Sequence, residues 1–272
     1  MLIDAHVHLW TQDPDKYPWS PIGGYIPVKS APKEDFLRLM DQAGVDRVVV
    51  VQPTPYGWDN SYLMDVCSEE GDRFKKIVLV DPDSPSASED LEKLVEKGAD
   101  GLRINLHLKP IEKWENERFI SLIDTAQALE IPICFQLTPD YFSLIRSLAV
   151  RFVNIKIVLD HLGRPRKGSC LKDELFDGLL KLAEYKYIFV KLSGLNYFSE
   201  ETKPYRDTWP LLRAAKEAYS AKRCMWGSDY PFVNDHWSYE EQLDTLKKEL
   251  GFSESDLEWI LGRTAETIWW SV

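Results

Sequence analysis

Short apolar runs alternate with amphipathic stretches along almost the whole chain. Residues 48–52 are four valines followed by Gln52, and such an unbroken β-branched run is typical of a strand buried on both faces of a parallel sheet. Residues 33–44 follow a helical period, with one apolar face and Gly44 as the stop. The predicted strands lie at 1–10, 48–52, 76–81, 101–106, 132–137, 154–161 and 187–193, with a last one that ends at Asp229.

Eight alternations of strand and helix predict a (β/α)8 TIM barrel of the α/β class, because successive right-handed crossovers let a parallel sheet close on itself. The length of 272 residues fits a single barrel domain over 1–272. An open, doubly wound sheet is the alternative, but no Gly-x-Gly-x-x-Gly turn follows the first strand. Residues 11–32, rich in Pro, Trp and Tyr, predict a lid over the mouth of the barrel.

Composition narrows the choice of partners. The net charge of −11 argues against nucleic acid and anionic membranes as partners but says nothing further about the substrate. We expect a small-molecule substrate. The four cysteines form no C-x-x-C pair, which excludes a zinc knuckle or dithiol motif. No signal-like N-terminus or apolar run of about 18 residues is present, so a cytoplasmic location is expected. Whether the chain forms a homo-oligomer stays open.

Two histidines stand two residues apart in the first predicted strand. Side chains alternate along a strand, so His6 and His8 are expected to share one face, with Ile3, Ala5 and Val7 on the other. At the carboxyl end of the strand the two imidazoles would hold a metal ion or donate hydrogen bonds to a substrate oxygen. The alternative is a pair of half-buried structural histidines.

Asp229 ends the last apolar run of the chain, just before Pro231. In a closed barrel the first and last strands are neighbours, so this carboxylate would lie beside the histidine pair; a plain turn aspartate is the alternative. Active sites of such barrels lie at the carboxyl ends of the strands. The polar residues at late positions of the other predicted strands are Arg103, Asn105, Gln136 and His161.

Several segments resemble the amidohydrolase superfamily, in its amidohydrolase-related branch. Residues 4–8 (DAHVH) resemble the signature of its first strand, and residues 227–231 (GSDYP) that of its eighth. Residues 160–165 and 191–195 are similar to segments of its sugar-lactone and dicarboxylate-lactone hydrolases. Residues 260–265 resemble its terminal helix, although Thr264 stands where the family usually has Asn. The resemblance implies a hydrolase with the barrel fold of metal-dependent hydrolases.

One position departs from the family pattern. Metal-dependent members usually carry a histidine at the end of the fifth strand, where this chain has Gln136, and an amide is a poor ligand for zinc. The resemblance therefore implies at most one divalent ion, zinc or manganese, weakly held by His6, His8 and Asp229. It leaves open whether the ion is required.

The resemblance implies the opening of a lactone by water. We expect Asp229 to take a proton from the water and return it to the leaving ring oxygen, while His6 and His8 polarise the carbonyl directly or through the ion. Removing one such donor is expected to cost about 10²–10³ in rate. His161 either completes this group or is a structural histidine.

Other residues are predicted to bind the substrate. Arg103 and Arg164 suit a carboxylate or sugar hydroxyls, unless Arg103 pairs with an acid on a neighbouring strand and Arg164 is solvated. Asn105 and Gln136 either bind polar groups or satisfy one another. Aromatic residues suited to a sugar-like face, or simply to loop packing, are Tyr56, Trp58, Tyr25, Trp19 and Tyr197. His107 and His236 are expected to lie outside the site.

Two other functions compete with lactone hydrolysis. One is a metal-dependent, non-oxidative decarboxylase of the same superfamily, against which Gln136 argues. The other is a non-catalytic relative that uses the barrel to bind a small molecule. Metal analysis, a lactone panel and carbon dioxide release would distinguish them.

Overall fold

The computed structural model describes residues 1–21, 25–106, 116–232 and 237–271. Eight parallel strands pair in chain order, and Val7 also bridges Tyr230, so that the sheet forms a nearly closed barrel. This confirms the predicted TIM barrel. The strands are β1 (Ile3–Val7), β2 (Arg47–Val51), β3 (Phe74–Leu79), β4 (Gly101–Asn105), β5 (Ile133–Gln136), β6 (Ile157–Leu159), β7 (Ile188–Leu192) and β8 (Cys224–Trp226).

Helices surround the barrel and bury its outward-facing strand residues. Among the described residues, none of them is both long and apolar enough to cross a lipid bilayer. They are α1 (Lys33–Ala43), α2 (Ser61–Ser68), α3 (Ala87–Glu96), α4 (Glu117–Ala128), α5 (Phe142–Arg151), α6 (Glu174–Lys181), α7 (Trp209–Tyr219), α8 (Tyr239–Lys248), α9 (Glu254–Glu258) and α10 (Thr264–Trp269).

Two strands end earlier than the sequence predicts. β6 stops at Leu159 and β8 at Trp226, so that His161 and Asp229 follow their strands instead of ending them. Both residues have left-handed backbone conformations, with φ of 53° and 60°. A strand cannot continue through such a residue, and the chain turns across the top of the barrel there.

The lower half of the barrel interior is an apolar plug, which we call the barrel floor. α10 closes it from the amino-terminal side of the strands. Each member is almost completely buried, and the cluster contains no charged side chain. Its members are Ile3, Ala5, Val49, Val51, Ile77, Cys134, Val158, Met225, Ala265, Ile268 and Trp269.

β1 is irregular where it passes from the floor to the top of the barrel. Asp4 pairs with Val48 and Val7 with Val50, so three steps along β1 match two along β2, as in a β-bulge. Ile3 and Ala5 therefore pack into the floor, whereas Val7 packs against the helices. The expectation that Ile3 and Ala5 face away from the His6 side is wrong, because the extra residue breaks the strict alternation.

Candidate active site

A cavity of about 230 Å³ opens at the carboxyl ends of the strands. Ligand pockets usually span about 300–1,000 Å³, so this one suits a small substrate. Most of the residues predicted for the site line it, whereas His6 is completely buried behind them. The lining residues are His8, Tyr25, Pro53, Thr54, Arg103, Asn105, Gln136, His161, Arg164, Tyr197, Asp229 and Phe232.

The two histidines of β1 and its extension are in contact, with their rings nearly perpendicular. Nε2 of His6 lies 3.1 Å from Nε2 of His8, and Nδ1 of His8 lies 2.7 Å from the carbonyl oxygen of Val51. A carbonyl only accepts, so the network assigns the proton of neutral His8 to Nδ1 and leaves Nε2 as an acceptor. His6 then carries its proton on Nε2 and donates it to His8. Burial lowers the pKa of both rings well below the usual value, which favours their neutral forms.

Asp229 faces both imidazoles from the end of β8. Its Oδ1 lies 3.6 Å from Nε2 of His6 and 3.6 Å from Nε2 of His8, while Oδ2 accepts a short hydrogen bond from the Tyr197 hydroxyl. Its backbone N–H donates to the His6 carbonyl at 2.9 Å, which ties the carboxylate to β1. Burial raises the pKa of Asp229 to about 7, against the opposing effects of Tyr197 and Arg103.

Gly227 permits this close approach of β8 to β1. A Cβ atom at this position would lie 2.7 Å from Cβ of His6. Glycine is therefore required two residues before Asp229 for the two strand ends to touch.

A buried ion pair lies beneath His6, and the sequence analysis missed it. Nζ of Lys191 on β7 lies 3.0 Å from Nδ1 of His6 and 3.0 Å from Oδ1 of Asp160, which in turn lies 3.3 Å from Nδ1 of His6. All three side chains are inaccessible to solvent. Burial alone would raise the pKa of Asp160, but Lys191, His6 and Arg103 outweigh it and hold the pKa well below its usual range.

The available signal was a lysine within an apolar strand, followed by the Ser193-Gly194 pair, and an acid directly before His161. We call His6, Arg103, Asp160 and Lys191 the charged layer. Neither oxygen of Asp160 accepts a well-directed hydrogen bond, despite its ionic neighbours. Nε of Arg103 is likewise buried without such a bond, 3.8 Å from Oδ2 of Asp160.

Asp4, also missed as a site residue, anchors His6 from outside the barrel. Its carboxylate accepts hydrogen bonds from the backbone N–H groups of His6 (3.1 Å) and Ser228 (2.9 Å) and from the Tyr239 hydroxyl (2.8 Å). Burial raises its pKa to about 6. The carboxylate thus joins β1, the segment after β8 and α8 behind the histidine pair.

Arg103 and its neighbours satisfy one another. The guanidinium donates to the carbonyl of Gln52 at 2.9 Å and to Oε1 of Gln136, which also accepts from Asn105 at 3.1 Å. Asn105 and Gln136 line the cavity, and their contact with substrate stays a prediction. The Gln136 oxygen already accepts from Arg103 and Asn105, as in the alternative in which these polar groups satisfy one another. This oxygen is directed at Arg103, at the position where the family resemblance predicts a histidine for a metal-dependent member.

His161 and Arg164 lie on the opposite wall of the cavity. Nδ1 of His161 lies 2.9 Å from the Ser193 hydroxyl, and its Nε2 is 3.9 Å from Oδ1 of Asp229. The Arg164 guanidinium lies over the ring of Tyr197 at 4.3 Å. Within the described residues, no carboxylate lies within ion-pair distance of Arg164. Its guanidinium lines the cavity and is therefore available to a bound molecule.

The aromatic predictions divide into two groups. Tyr25 and Tyr197 line the cavity. Tyr56 does not: its ring is buried and stacks on Trp19, and its hydroxyl bonds the backbone of Thr11. Trp58 is likewise not among the lining residues. The contacts of Tyr56 match the loop-packing alternative, and substrate contact by Tyr56 and Trp58 stays a prediction. His107 and His236 lie outside the described residues.

The donor atoms at the top of the barrel fit a divalent ion. Nε2 of His6, Nε2 of His8 and Oδ1 of Asp229 are separated by 3.1–3.6 Å. A tetrahedral ion with ligands at about 2.0–2.2 Å separates them by roughly 3.3–3.5 Å. His161 also falls in a group with His6 and Asp229 whose ligand atoms lie within 4.8 Å of one another. The predicted ligand set is thus sterically suitable, with His161 as a further donor.

Comparisons with known proteins agree with this geometry. The chain is 32% identical over 236 residues to a 4-sulfomuconolactone hydrolase of Hydrogenophaga intermedia, covering 84% of this chain and 74% of the relative. It is 29% identical to an L-fucono-1,5-lactonase of Burkholderia ambifaria, covering 84% and 80%. A Pseudomonas putida structure described as a candidate 2-pyrone-4,6-dicarboxylic acid hydrolase superposes with a TM-score of 0.85 at 25% identity, covering 98% and 96%.

A second solved structure has the same architecture. An amidohydrolase of Burkholderia multivorans with bound zinc superposes with a TM-score of 0.81 at 22% identity, over 98% of each chain, and shares the fold. The model of the amidohydrolase family matches residues 3–269. The chain therefore belongs to the amidohydrolase family.

Proposed function

We propose that this protein is a hydrolase that opens the ring of a small lactone. The relatives named above act on lactones, and the observation that carries the proposal is the placement of Asp229. Its Oδ1 faces the cavity between three imidazoles, while Tyr197 holds Oδ2. A carboxylate fixed on one oxygen and open on the other is suited to take a proton from water.

The reaction then follows from the residues around Asp229. Asp229 removes a proton from water, whose oxygen attacks the lactone carbonyl. Collapse of the tetrahedral intermediate breaks the ring C–O bond, and Asp229 returns the proton to the leaving oxygen. The product is an open-chain hydroxy acid.

The developing oxyanion needs a donor, and the geometry modifies the predicted choice. In the assigned tautomers the Nε2–H of His6 is directed at His8, and Nε2 of His8 carries no proton. Direct donation therefore falls to His161, which presents Nε2–H to the cavity when Ser193 donates to its Nδ1. His6 and His8 position Asp229 through their contacts with its Oδ1 atom.

A divalent ion, when bound, would be held by His6, His8 and Asp229 and would supply a positive charge to the carbonyl oxygen. Arg164, aligned on Tyr197, is proposed to bind an acidic or hydroxyl group of the substrate. Asn105, Gln136 and Arg103 would shape the opposite wall. We also propose that the whole chain acts as one barrel domain in the cytoplasm.

A lactone panel tests the proposal. L-fucono-1,5-lactone, 2-pyrone-4,6-dicarboxylate and 4-sulfomuconolactone are supplied to the purified protein, and proton release is followed with a pH indicator. Hydrolysis of at least one of them, lost in Asp229→Asn, is the expected result. The matched control is Asp177→Asn, which removes an acid that pairs with Lys181 on the exposed face of α6.

The same preparation separates the alternatives. Carbon dioxide release from aromatic carboxylic acids, without proton release from any lactone, would identify a decarboxylase. Thermal stabilisation by a lactone that is never hydrolysed would identify a binding protein. Either outcome contradicts the proposal.

A further inference from the structure

We propose that Lys191 is a built-in cation that holds His6 in its Nε2–H tautomer and thereby opposes the binding of a divalent ion to the His6–His8–Asp229 group. Lys191 would thus control the tautomer of His6 and the affinity of the site for a divalent ion. This control does not depend on lactone hydrolysis.

The contact with β2 assigns the proton of neutral His8 to Nδ1. Nδ1 of His8 is 2.7 Å from the carbonyl oxygen of Val51, the last residue of β2. This oxygen has no proton to give, so a neutral His8 is protonated at Nδ1. Its Nε2 lone pair then faces His6 at 3.1 Å.

The contact with His8 in turn fixes the proton of His6. Two imidazole nitrogens at 3.1 Å need a proton or a cation between them. With Nε2 of His8 as acceptor, the proton must be on Nε2 of His6, and Nδ1 of His6 must accept. The Lys191 ammonium, 3.0 Å away, has only donors and fits this requirement.

The result is one directed chain of hydrogen bonds: Lys191 donates to His6, His6 to His8, and His8 to Val51. In this arrangement the lone pair of His6 that a metal needs is occupied by a proton. A doubly protonated His6 is disfavoured, because the ammonium and the ring N–H would meet at 3.0 Å in a fully buried position.

The structure also contains a hydrogen-bond acceptor for the other tautomer of His6, the one with its proton on Nδ1. Oδ1 of Asp160 lies 3.3 Å from Nδ1 of His6 and, although buried, accepts no well-directed hydrogen bond. If His6 moves its proton to Nδ1, it can donate to Asp160, and Nε2 becomes free for a metal. A carboxylate behind a ligating histidine is the usual support for a metal site.

Lys191 therefore opposes the metal in two ways. It stabilises the tautomer in which His6 cannot ligate, and it places a positive charge close to a second cation in a buried region, where charges interact strongly. Removing the ammonium leaves Asp160 free to accept from His6. The metal-free and metal-binding states of the site differ by the position of one proton.

Tautomers can be read from the wild-type protein alone. Two-bond ¹H–¹⁵N correlation spectra of ¹⁵N-histidine-labelled, chelator-dialysed protein distinguish Nδ1–H from Nε2–H, and the chain has only five histidines. The spectra of His6→Gln and His8→Gln assign the two signals. We expect Nε2–H at His6 and Nδ1–H at His8; Nδ1–H at His6, or an imidazolium there, would overturn the proposal.

Metal affinity is the second readout. Zn²⁺ is titrated calorimetrically into wild type, Lys191→Met and the matched control Lys156→Met, which removes a lysine bonded to the backbone of α10 at the other end of the barrel. We expect Lys191→Met to bind Zn²⁺ at least tenfold more tightly than wild type, with the control unchanged. A smaller gain, or a loss, in folded Lys191→Met would contradict the proposal. If this variant does not fold, the wild-type tautomers decide.

Discussion

The barrel floor and the charged layer are built from the same strands but have opposite properties. The floor packs apolar side chains, and among its described residues the only buried side-chain nitrogen or oxygen without a hydrogen-bond partner is Nε1 of Trp269. In the next layer of side chains towards the cavity, the charged layer buries an imidazole, two cations and a carboxylate. Several of its buried nitrogen and oxygen atoms have no hydrogen-bond partner. β5 supplies Cys134 to the floor, and its last residue is Gln136 at the cavity.

This difference separates stability from function within a single barrel. An apolar plug contributes free energy of folding through burial, whereas buried charges cost desolvation energy that their pairing only partly offsets. Positive φ values at His161, Arg164 and Asp229 add backbone strain at the top. Backbone strain is thus present where chemistry is proposed, and three of the five unsatisfied buried side-chain atoms in the described residues belong to the charged layer beneath it.

The largest expected effect follows from removing the proposed base. Asp229→Asn should lower kcat on the substrate lactone by about 10³, because proton transfer is lost. The same substitution should raise the free energy of unfolding relative to the wild type above pH 7. The pKa of Asp229 is raised from 3.8 to about 7 in the folded state, so the wild type loses this group's contribution as the pH rises through 7.

Urea denaturation of both proteins at pH 5 and pH 8 checks the predicted pH dependence of stability. The stability of Asp229→Asn relative to wild type should be higher at pH 8 than at pH 5. Equal differences at the two pH values would show that the carboxyl group titrates normally in the folded protein.

Truncation of a large side chain in the barrel floor should lower stability and leave activity nearly unchanged. Met225→Ala leaves a cavity in a fully buried cluster and should reduce the free energy of unfolding by about 2–5 kcal/mol. The remaining folded molecules should keep kcat within a few-fold of wild type at 25 °C. A loss of kcat beyond tenfold, in protein shown by circular dichroism to be folded, would mean that floor and site are coupled.

A methyl group at Gly194 should disturb the site locally. Gly194 has φ of +65°, and an added Cβ would lie 2.7 Å from Nδ1 of His161. Gly194→Ala should lower kcat by about tenfold and stability by about 1–3 kcal/mol. Gly71→Ala, also at positive φ but with open space around its Cβ, measures the strain alone and should leave kcat unchanged.

The smallest effect is expected for the hydroxyl that holds Asp229. The hydrogen bond from Tyr197 lowers the pKa of Asp229, so Tyr197→Phe should shift the acidic limb of the kcat/KM profile to higher pH. Activity of both proteins should rise with pH as Asp229 ionises. A profile that keeps its midpoint while kcat/KM falls uniformly would assign Tyr197 to substrate contact instead.

Periodicity was sufficient to predict the barrel, because eight short apolar runs separated by helical segments have few other packings. The pairing of His6, His8 and Asp229 followed from placing strand ends on one rim. Alternation failed at the β1 bulge, where only the register against β2 shows that Ala5 and His6 both face inward. The role of Lys191 was missed because one lysine in an apolar strand has no informative spacing; its meaning depends on Asp160 from another strand.

The last helix of the chain reaches the candidate site from below. Trp269 lies in the floor, and its ring is 5.8 Å from the Lys191 ammonium, which contacts His6 above. The first strand and the final residues thus meet inside one cylinder. Because the plug draws on residues from 3 to 269, its contacts are among the longest in sequence separation, so the support beneath the site should form late in folding.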